Sequence, residues 1–197
     1  MANSGIFSPN DIVGLMDYQQ WKSVGDLELI ETATISGSVS TVEFENLEDY
    51  NVHLLTVNDG TVSADNKGIA FRLYENGTLE SGSVYHTARQ ICGSGGGFSE
   101  NKSTSNSALR FADNVLVSSY PRCNINGYLY FYNLLDDSKY SFVTQHSSVH
   151  CNANEVRSFF GSQALPQASY VNQIQVMAYD SGTIDSGNFA LYGIRNS

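Results

Sequence analysis

From Leu27 onwards the chain consists of short runs of β-branched and aromatic residues, separated by turn residues about every 8 to 12 positions. In one such run, Ile69, Phe71 and Leu73 fall on one side of an extended strand, and the residues between them fall on the other. Alternation of this kind is typical of a strand with one buried face. The pattern predicts an all-β protein, a sandwich or a barrel, with about nine or ten strands and at most one or two short helices.

Turn residues divide the middle of the chain into a hairpin and a long loop. Asn76-Gly77 is the strongest hairpin signal in the sequence, because both residues tolerate the positive φ that a two-residue turn requires. The sequence on either side of this turn predicts two antiparallel strands. The following stretch, Cys92–Ser107, is rich in glycine and serine and has little apolar surface, so it is predicted to be a loop.

The segment 1–25 precedes the strand pattern, and the remaining residues, 26–197, are predicted to form one β domain. Apolar residues of the segment have spacings compatible with a short amphipathic helix. They are Ile12, Val13, Leu15, Met16 and Trp21. Two interpretations remain open: a helix folded back on its own domain, or an arm that docks on a neighbouring subunit. The start shows neither the basic nor the apolar region of a signal peptide, so we expect synthesis in a cytoplasm.

Composition and charge exclude several classes of partner. Charged residues make up only 15% of the chain, and the net charge is −10 with 10 lysines and arginines, which argues against binding to nucleic acid. The apolar runs are far shorter than the roughly 20 residues of a membrane-spanning helix, so no membrane partner is expected. Three cysteines, Cys92, Cys123 and Cys151, do not resemble a secreted disulfide framework, and all three are expected to be reduced.

No enzyme constellation emerges from the sequence. The glycine run Gly93–Gly97 lacks the lysine and the Ser/Thr of a phosphate-binding loop, and no G-x-S-x-G elbow follows a strand. The pair Asp136-Asp137 lies between two strand patterns, where a solvated turn is more common than a catalytic dyad. We therefore expect a protein that is not an enzyme, with no catalytic residues and no cofactor.

Histidines and cysteines raise the question of a metal site. His146, His150 and Cys151 lie close together and could bind a metal with His86 or Cys92. Two donors four residues apart share a face on a helix, and this stretch does not resemble a helix. The sequence favours a hydrogen-bonded loop histidine pair over zinc, and no metal is predicted.

Tyrosines supply the candidate binding face. The chain has 12 tyrosines and 10 phenylalanines, and Tyr128, Tyr130 and Tyr132 alternate with apolar residues. One side of that strand is therefore predicted to pack, and the other to meet solvent or a partner. Any single tyrosine can instead cap the edge of the core. With His146 and His150, the three tyrosines are the candidate ligand-binding residues, and the nearby loops predicted at Cys92–Ser107 and His146–Asn154 are the candidate ligand-binding loops.

The chain closes with "DSGTIDSGNFALYGI", two serine-glycine pairs around one isoleucine and then an apolar run. This segment resembles the end of the jelly-roll-like β-sandwich proteins of tailed-bacteriophage virions. The segment "VEFENLEDYNVHLLTV" is also similar to that group, whereas Leu73-Tyr74 after Arg72 departs from its pattern. The residues that match the closing motif are Gly182, Ile184, Gly187, Phe189, Leu191, Tyr192 and Gly193.

The motif has a physical interpretation as a device that closes the fold. Gly182 and Gly187 permit positive φ, so two turns can flank Ile184, which enters the core as a single buried side chain. Phe189 and Leu191, with Ile194, are then expected to build the inner face of a final strand, with Ala190 and Tyr192 on the other face. This strand is expected to pair with a distant, earlier one.

The resemblance implies an antiparallel, jelly-roll-like β-sandwich and a place on the virion surface after synthesis in the host cytoplasm. Proteins of this kind are capsid decoration or cement proteins, head fibres and tail-fibre domains, commonly trimeric. No coiled-coil heptads or β-helical repeats of a long fibre are visible. We expect a decoration or head-fibre protein that binds the major capsid protein or a tail component through the segment 1–25 and the sandwich faces. The alternatives are a tail-fibre module that binds a host glycan through its loops and, less favoured, a depolymerase or esterase.

Overall fold

The computed structural model describes residues 27–47, 50–64, 67–115, 123–151 and 155–194. These residues form thirteen β-strands and no helix. The strands are β1 Leu27–Ile35, β2 Thr41–Phe44, β3 Val52–Val62, β4 Lys67–Glu75, β5 Thr78–Leu79, β6 Tyr85–Gly93, β7 Phe98–Asn106, β8 Leu109–Val115, β9 Ile125–Tyr132, β10 Tyr140–Cys151, β11 Glu155–Ala168, β12 Val171–Ala178 and β13 Ile184–Ile194. Within these residues there is also no helix with the length and apolarity to cross a membrane.

The strands form two antiparallel sheets that pack face to face, which confirms the predicted β-sandwich. The larger sheet has eight strands in the order β1-β13-β3-β9-β10-β11-β6-β7. The smaller sheet has five: β2, β12, β4 and β5 in sequence along the sheet, with β8 also paired to β4. Strands that are distant in sequence thus become neighbours, as a sandwich requires.

Apolar side chains from alternate positions of both sheets meet in one core. Phe71 of the smaller sheet packs edge-to-face on Phe111 of β8, with ring centroids 5.7 Å apart. The same ring packs edge-to-face on Phe131 of the larger sheet at 6.2 Å. All three are fully buried. The alternation that predicted one buried face of β4 is confirmed, since Ile69, Phe71 and Leu73 all point into this core.

The Asn76-Gly77 hairpin is present, but its second strand is short. Asn76 and Gly77 have φ values of 51° and 80°, as a two-residue turn demands. The partner strand β5 spans only Thr78–Leu79 and pairs antiparallel with β4, which confirms the predicted pair of strands, and β6 then crosses to the larger sheet. Tyr85 anchors the crossing: its hydroxyl donates to Glu80 O at 2.9 Å and accepts from Leu73 N at 3.0 Å. Burial raises the pKa of this phenol.

Two strands were not predicted by the sequence pattern. The stretch Cys92–Ser107 is a hairpin rather than a loop: the chain turns at Gly93–Gly97, where Gly93 N donates to Gly97 O at 2.7 Å, and β7 follows. Strand β7 lies at the sheet edge, where backbone hydrogen bonds to β6 suffice without apolar side chains. Strand β11 was missed because adjacent phenylalanines, Gly161 and Pro166 interrupt its alternation.

The closing segment pairs with distant, earlier strands, as predicted, and it has two such partners, β1 and β3, where one was expected. Ile184 is fully buried and Gly182 has a φ of 106° in the turn before β13. Gly187 has a φ of 145° but lies inside the strand, where the pairing with β3 shifts in register around Ser186. The predicted second turn is therefore an irregularity within an internal strand, of the type that bends the strand locally.

The two faces of β13 follow the prediction with one exception. Phe189 and Leu191 are buried, and Tyr192 lies on the opposite face with Ala190. Ile194 shares the face of Tyr192, because residues two apart on a strand point the same way. Gly193 of the motif is explained by close packing: a Cβ there would lie 2.3 Å from the Tyr50 ring.

Candidate functional site

The outer face of the eight-stranded sheet carries the tyrosines that the sequence singled out. On β9, Tyr128 is opposite His146 of β10, and Tyr130 is opposite Thr144. The Tyr128 ring lies edge-on to both Tyr130 and His146, with centroid distances of 5.7 and 6.0 Å. Tyr132 follows on the same face, and its hydroxyl is 3.2 Å from Thr144 Oγ1. The prediction of one packed and one outward face of β9 is confirmed. We call Tyr128, Tyr130, Tyr132 and His146 the tyrosine–histidine cluster.

The cluster continues into further exposed aromatic side chains. Phe142 on β10 and Phe160 on β11 are 48% and 38% exposed, and Tyr128 is 42% exposed. Neither β9 nor β10 contains an aspartate, glutamate, lysine or arginine. In a chain of net charge −10, an uncharged aromatic surface at the centre of a sheet is a feature of protein contact surfaces rather than of ordinary solvated faces.

His146 and His150, the two histidines considered for a metal site, both lie on the outer face of β10. His150 lies four residues beyond His146 on the same face of β10, about 13 Å along an extended strand. Its Nδ1 is 4.0 Å from the sulfur of Cys123, which is buried. The residues that the structure describes include no group of three or more histidines, cysteines or carboxylates that could hold a metal ion. The predicted loop at 146–154 is also corrected at its start, since His146 and His150 belong to β10.

A groove runs over β6 beside the exposed phenyl rings, and sequence reasoning did not find it. Two depressions of about 330 and 410 Å³ share Ala88 and Ser162, which are opposite each other on β6 and β11. The surface is lower here because these side chains and Ala164 are smaller than the residues around them. Its walls include Phe142, Phe160, His86, Gln90 and Lys102. We call this depression the β6 groove. These residues come together only because β6 pairs with β7 and β11. The sequence pattern predicted neither β7 nor β11, so it could not predict the groove.

A buried polar network lies beneath the groove and the cluster. Gln163 of β11 donates from Nε2 to Gln145 Oε1 on β10 at 2.6 Å. Its Oε1 accepts from Thr87 Oγ1 on β6 at 3.0 Å, and Thr87 in turn accepts from Asn106 Nδ2 on β7 at 2.7 Å. The network links four consecutive strands across the inner face. Buried, mutually satisfied polar groups hold a single register, so the outer face above them is a rigid platform.

A buried arginine lies next to this network. Arg89 of β6 is only 2% exposed, and its Nη1 donates to Arg110 O on β8 at 3.0 Å. Its guanidinium lies over the Phe159 ring, 5.7 Å from the centroid. Arg110 stacks on Tyr179 of the smaller-sheet side at 4.2 Å and hydrogen-bonds its hydroxyl. Cation–π contacts of this kind place positive charge in the interior where planar rings can accept it.

The adjacent aspartates form a local turn, as predicted. Between β9 and β10, the Asp136 carboxylate accepts from Lys139 Nζ at 2.5 Å and from the backbone N of Ser138 at 3.0 Å. The hydrogen bond from Lys139, followed by those from Ser138, lowers the pKa of Asp136 to about 2. This carboxylate is thus permanently ionised near neutral pH and engaged within its own turn, which is a structural arrangement.

The apolar residues predicted to bind a partner through the N-terminal segment lie outside the described residues. They are Ile12, Val13, Leu15, Met16 and Trp21. The closing-motif residues, by contrast, serve the fold, since they place β13 between β1 and β3. Of the predicted site residues, the structure brings together Tyr128, Tyr130, Tyr132 and His146. Compared with known proteins, the chain matches no protein-family model and no curated protein sequence.

Proposed function

We propose that this protein is a non-enzymatic structural subunit of a bacteriophage virion, of the capsid decoration or head-fibre type. The observation that carries the structural role is the tyrosine–histidine cluster on the uncharged outer face of β9 and β10. We assign this cluster to contact between copies of the chain in a homotrimer. The segment 1–25 then binds the major capsid protein or a tail component.

Charge is the reason for choosing a second copy as the partner of this face. Identical chains that each carry a net charge of −10 repel one another. Repulsion is smallest where the contacting strands carry no ionised side chain, as on β9 and β10. Residues beside a three-fold axis meet their own equivalents from the other copies, so the tyrosine–histidine cluster can pack on itself there. Tyrosine suits such a contact, because it buries a large area with few rotatable bonds.

The virion assignment rests on the closing segment. Its resemblance to virion β-sandwich proteins covers Gly182, Ile184 and Gly187 and continues through Gly193. These residues have clear structural roles here: a positive φ at two glycines, a buried isoleucine, and a glycine against the Tyr50 ring. A role in the fold supports the resemblance in architecture, and the virion location is inferred from it.

The self-association can be tested by light scattering after size-exclusion chromatography of the full chain. We expect a mass of three times 21.5 kDa, and a shift to monomer in a Tyr128→Ser, His146→Ser double variant. Tyr170→Ser, which removes an equally exposed tyrosine outside the cluster, should leave the trimer intact. Far-UV circular dichroism spectra equal to that of the wild type would show that both variants are folded. A wild-type monomer at high concentration, or a trimer that tolerates the double variant, would contradict the assignment.

The location can be tested on intact particles by antibody-labelled electron microscopy. Deletion of residues 1–25 should abolish incorporation into particles and leave the thermal midpoint of the domain unchanged. If the truncated protein decorated particles at full occupancy, the role of the segment would be wrong. Absence of the protein from purified virions would overturn the virion assignment itself.

The second candidate is a receptor-binding module that recognises a host glycan. The loops first considered for it, Cys92–Ser107 and His146–Asn154, largely form strands. The observation that supports a glycan-binding function is the β6 groove, which lies on a face of the larger sheet rather than on loops. A glycan array without binding by the purified protein would exclude it.

A further inference from the structure

The β6 groove differs in kind from the tyrosine–histidine cluster beside it. The outward side chains of β6 along the groove are His86, Ala88 and Gln90, so a small residue lies between two larger polar ones. On the neighbouring strand β11, Ser162 and Ala164 are equally small. The result is a concave strip on an otherwise raised face. The strip is shallow and open to solvent, so a ligand there lies on the surface of the sheet rather than inside a cavity.

Two exposed phenyl rings border this strip. Phe142 is opposite Ala164, and Phe160 lies four residues before Ala164 on the same strand. Four residues of extended strand span about 13 Å, so the rings lie at two ends of a site longer than one pyranose ring. The negative face of a phenyl ring attracts C–H groups that point toward it. A ligand with a flat C–H face at more than one position would therefore fit this spacing.

The polar groups of the groove favour an uncharged ligand. His86, Gln90 and Ser162 offer both donors and acceptors along the floor and walls. The charged groups at its β7 side, Lys102 and Glu100, form an ion pair at 2.5 Å and neutralise each other. An anionic ligand would also have to approach a chain of net charge −10. Hydroxyl groups, which both donate and accept, match this set of partners best.

The backbone around the groove is not available to a peptide. Strand β6 is hydrogen-bonded to β11 on one side and to β7 on the other. A peptide in extended form gains affinity mainly by adding a strand to a free sheet edge. Inside the groove only side chains are offered, which disfavours a peptide strand as the occupant.

We infer that the β6 groove is a binding site for a short uncharged oligosaccharide, whose pyranose faces stack on Phe142 and Phe160 and whose hydroxyls bond to His86, Gln90 and Ser162. The inference rests on the second candidate function above, recognition of a glycan, and names its site and ligand class. It does not depend on association through the tyrosine–histidine cluster, and glycan binding that survives the groove variants below would overturn the site without overturning glycan recognition. Weak binding at one such site is multiplied when several copies are held in one oligomer.

The test uses the full chain on an array of uncharged and acidic glycans, followed by calorimetric titration with maltotriose, cellotriose, tri-N-acetylchitotriose and trigalacturonic acid. We expect binding to one or more uncharged glycans with a Kd of about 1 mM or tighter. Ala88→Trp, which fills the floor, and Phe160→Ala, which removes one ring, should each weaken it at least about tenfold. Thr41→Trp on the smaller sheet and Tyr170→Ala are the matched controls and should bind as the wild type does.

Three results would overturn the inference. The first is the absence of binding to any uncharged glycan, or binding to acidic glycans alone. The second is binding that survives both groove variants while their thermal midpoints are unchanged. The third is a change in oligomeric mass caused by Ala88→Trp, which would assign the groove to contact between copies. Loss of the trimer in the Tyr128→Ser, His146→Ser variant bears only on the structural proposal, so the two can fail separately.

Discussion

The side-chain amide of Gln163 pairs with the backbone of Arg110 as a neighbouring strand would. Gln163 Nε2 donates to Arg110 O at 2.8 Å, and Arg110 N donates to Gln163 Oε1 at 2.8 Å. Gln163 lies on the larger sheet, whereas Arg110 lies on β8, whose other edge pairs with β4 of the smaller sheet. Gln145 and Ser147 of β10 both donate to Phe111 O on the same edge of β8. Buried polar side chains of one sheet thus satisfy the backbone of an edge strand in the other.

Replacement of Gln163 by leucine should destabilise the protein strongly. The Gln163→Leu variant removes the partners of Arg110 N and of Gln145 Oε1, whereas Arg110 O keeps its hydrogen bond from Arg89 Nη1. Each buried polar group left unsatisfied costs about 1–3 kcal/mol. We expect the free energy of unfolding in urea to fall by about 2–5 kcal/mol. Gln90→Leu, on the outer face of the same sheet, should change it by no more than about 0.5 kcal/mol. Equal effects of the two variants would show that the pairing contributes nothing specific.

Alanine at Gly193 should disrupt the packing of the closing strand. A Cβ at this position would lie within 2.4 Å of three atoms of the Tyr50 ring, so the ring or β13 must move. Overpacking of this kind costs about 1–3 kcal/mol, measurable as a lower urea midpoint with an unchanged slope. The control is Gly37→Ala, because a Cβ there meets no atom within 4 Å. A Gly193→Ala protein as stable as the Gly37→Ala protein would contradict the steric explanation.

The turn at Asp136 should contribute stability that disappears in acid. The pKa of its carboxyl is about 2 in the folded protein against a usual 3.8. A depressed pKa stabilises the folded state above pH 3.8, and this stabilisation is lost as the pH falls from 3.8 toward 2. The thermal midpoint of Asp136→Asn should therefore lie below that of the wild type at neutral pH, and the gap should close across this window.

Lys139→Met provides the partner variant for that experiment, since Lys139 supplies the largest part of the shift. Lys139→Met should lower the thermal midpoint at neutral pH as Asp136→Asn does. The double variant should lower it little further, because both changes remove the same ion pair. A gap that stays constant down to pH 2 would contradict the linkage.

The two cysteines whose side chains the structure describes, Cys92 and Cys123, should differ in reactivity. Cys92 is partly exposed on the outer face of β6, whereas Cys123 is 2% exposed. Alkylation requires contact between the reagent and the thiolate, so iodoacetamide should modify Cys92 in the native protein and spare Cys123. Mass spectrometry of peptides identifies the modified residue, and urea-unfolded protein is the positive control. Equal rates at Cys92 and Cys123 in the native protein would contradict the burial of Cys123.

Local patterns predicted those parts of the fold that depend on one strand at a time. The alternation of Ile69, Phe71 and Leu73, the turn at Asn76-Gly77 and the burial of Ile184 all follow from neighbouring residues, and all three are confirmed. Strand β7 was missed, because an edge strand of serines and asparagines forms through backbone hydrogen bonds that leave no hydrophobic signal. Strand β11 was missed because Gly161 and the polar Gln163 lie between Phe159 and Leu165 on its buried face, so no apolar alternation is visible.

The sequence by itself determined that the protein is all-β, that Tyr128, Tyr130 and Tyr132 share one outward face, and that the last strand returns to an earlier one. These features depend on side-chain alternation and turn chemistry, which act over a few residues. Only the tertiary structure decided that His146 lies opposite Tyr128, that Ala88 and Ser162 form the floor of a groove, and that Gln163 completes the edge of β8. Those juxtapositions depend on strand order and register, which are set by packing between distant segments and carry no local signature.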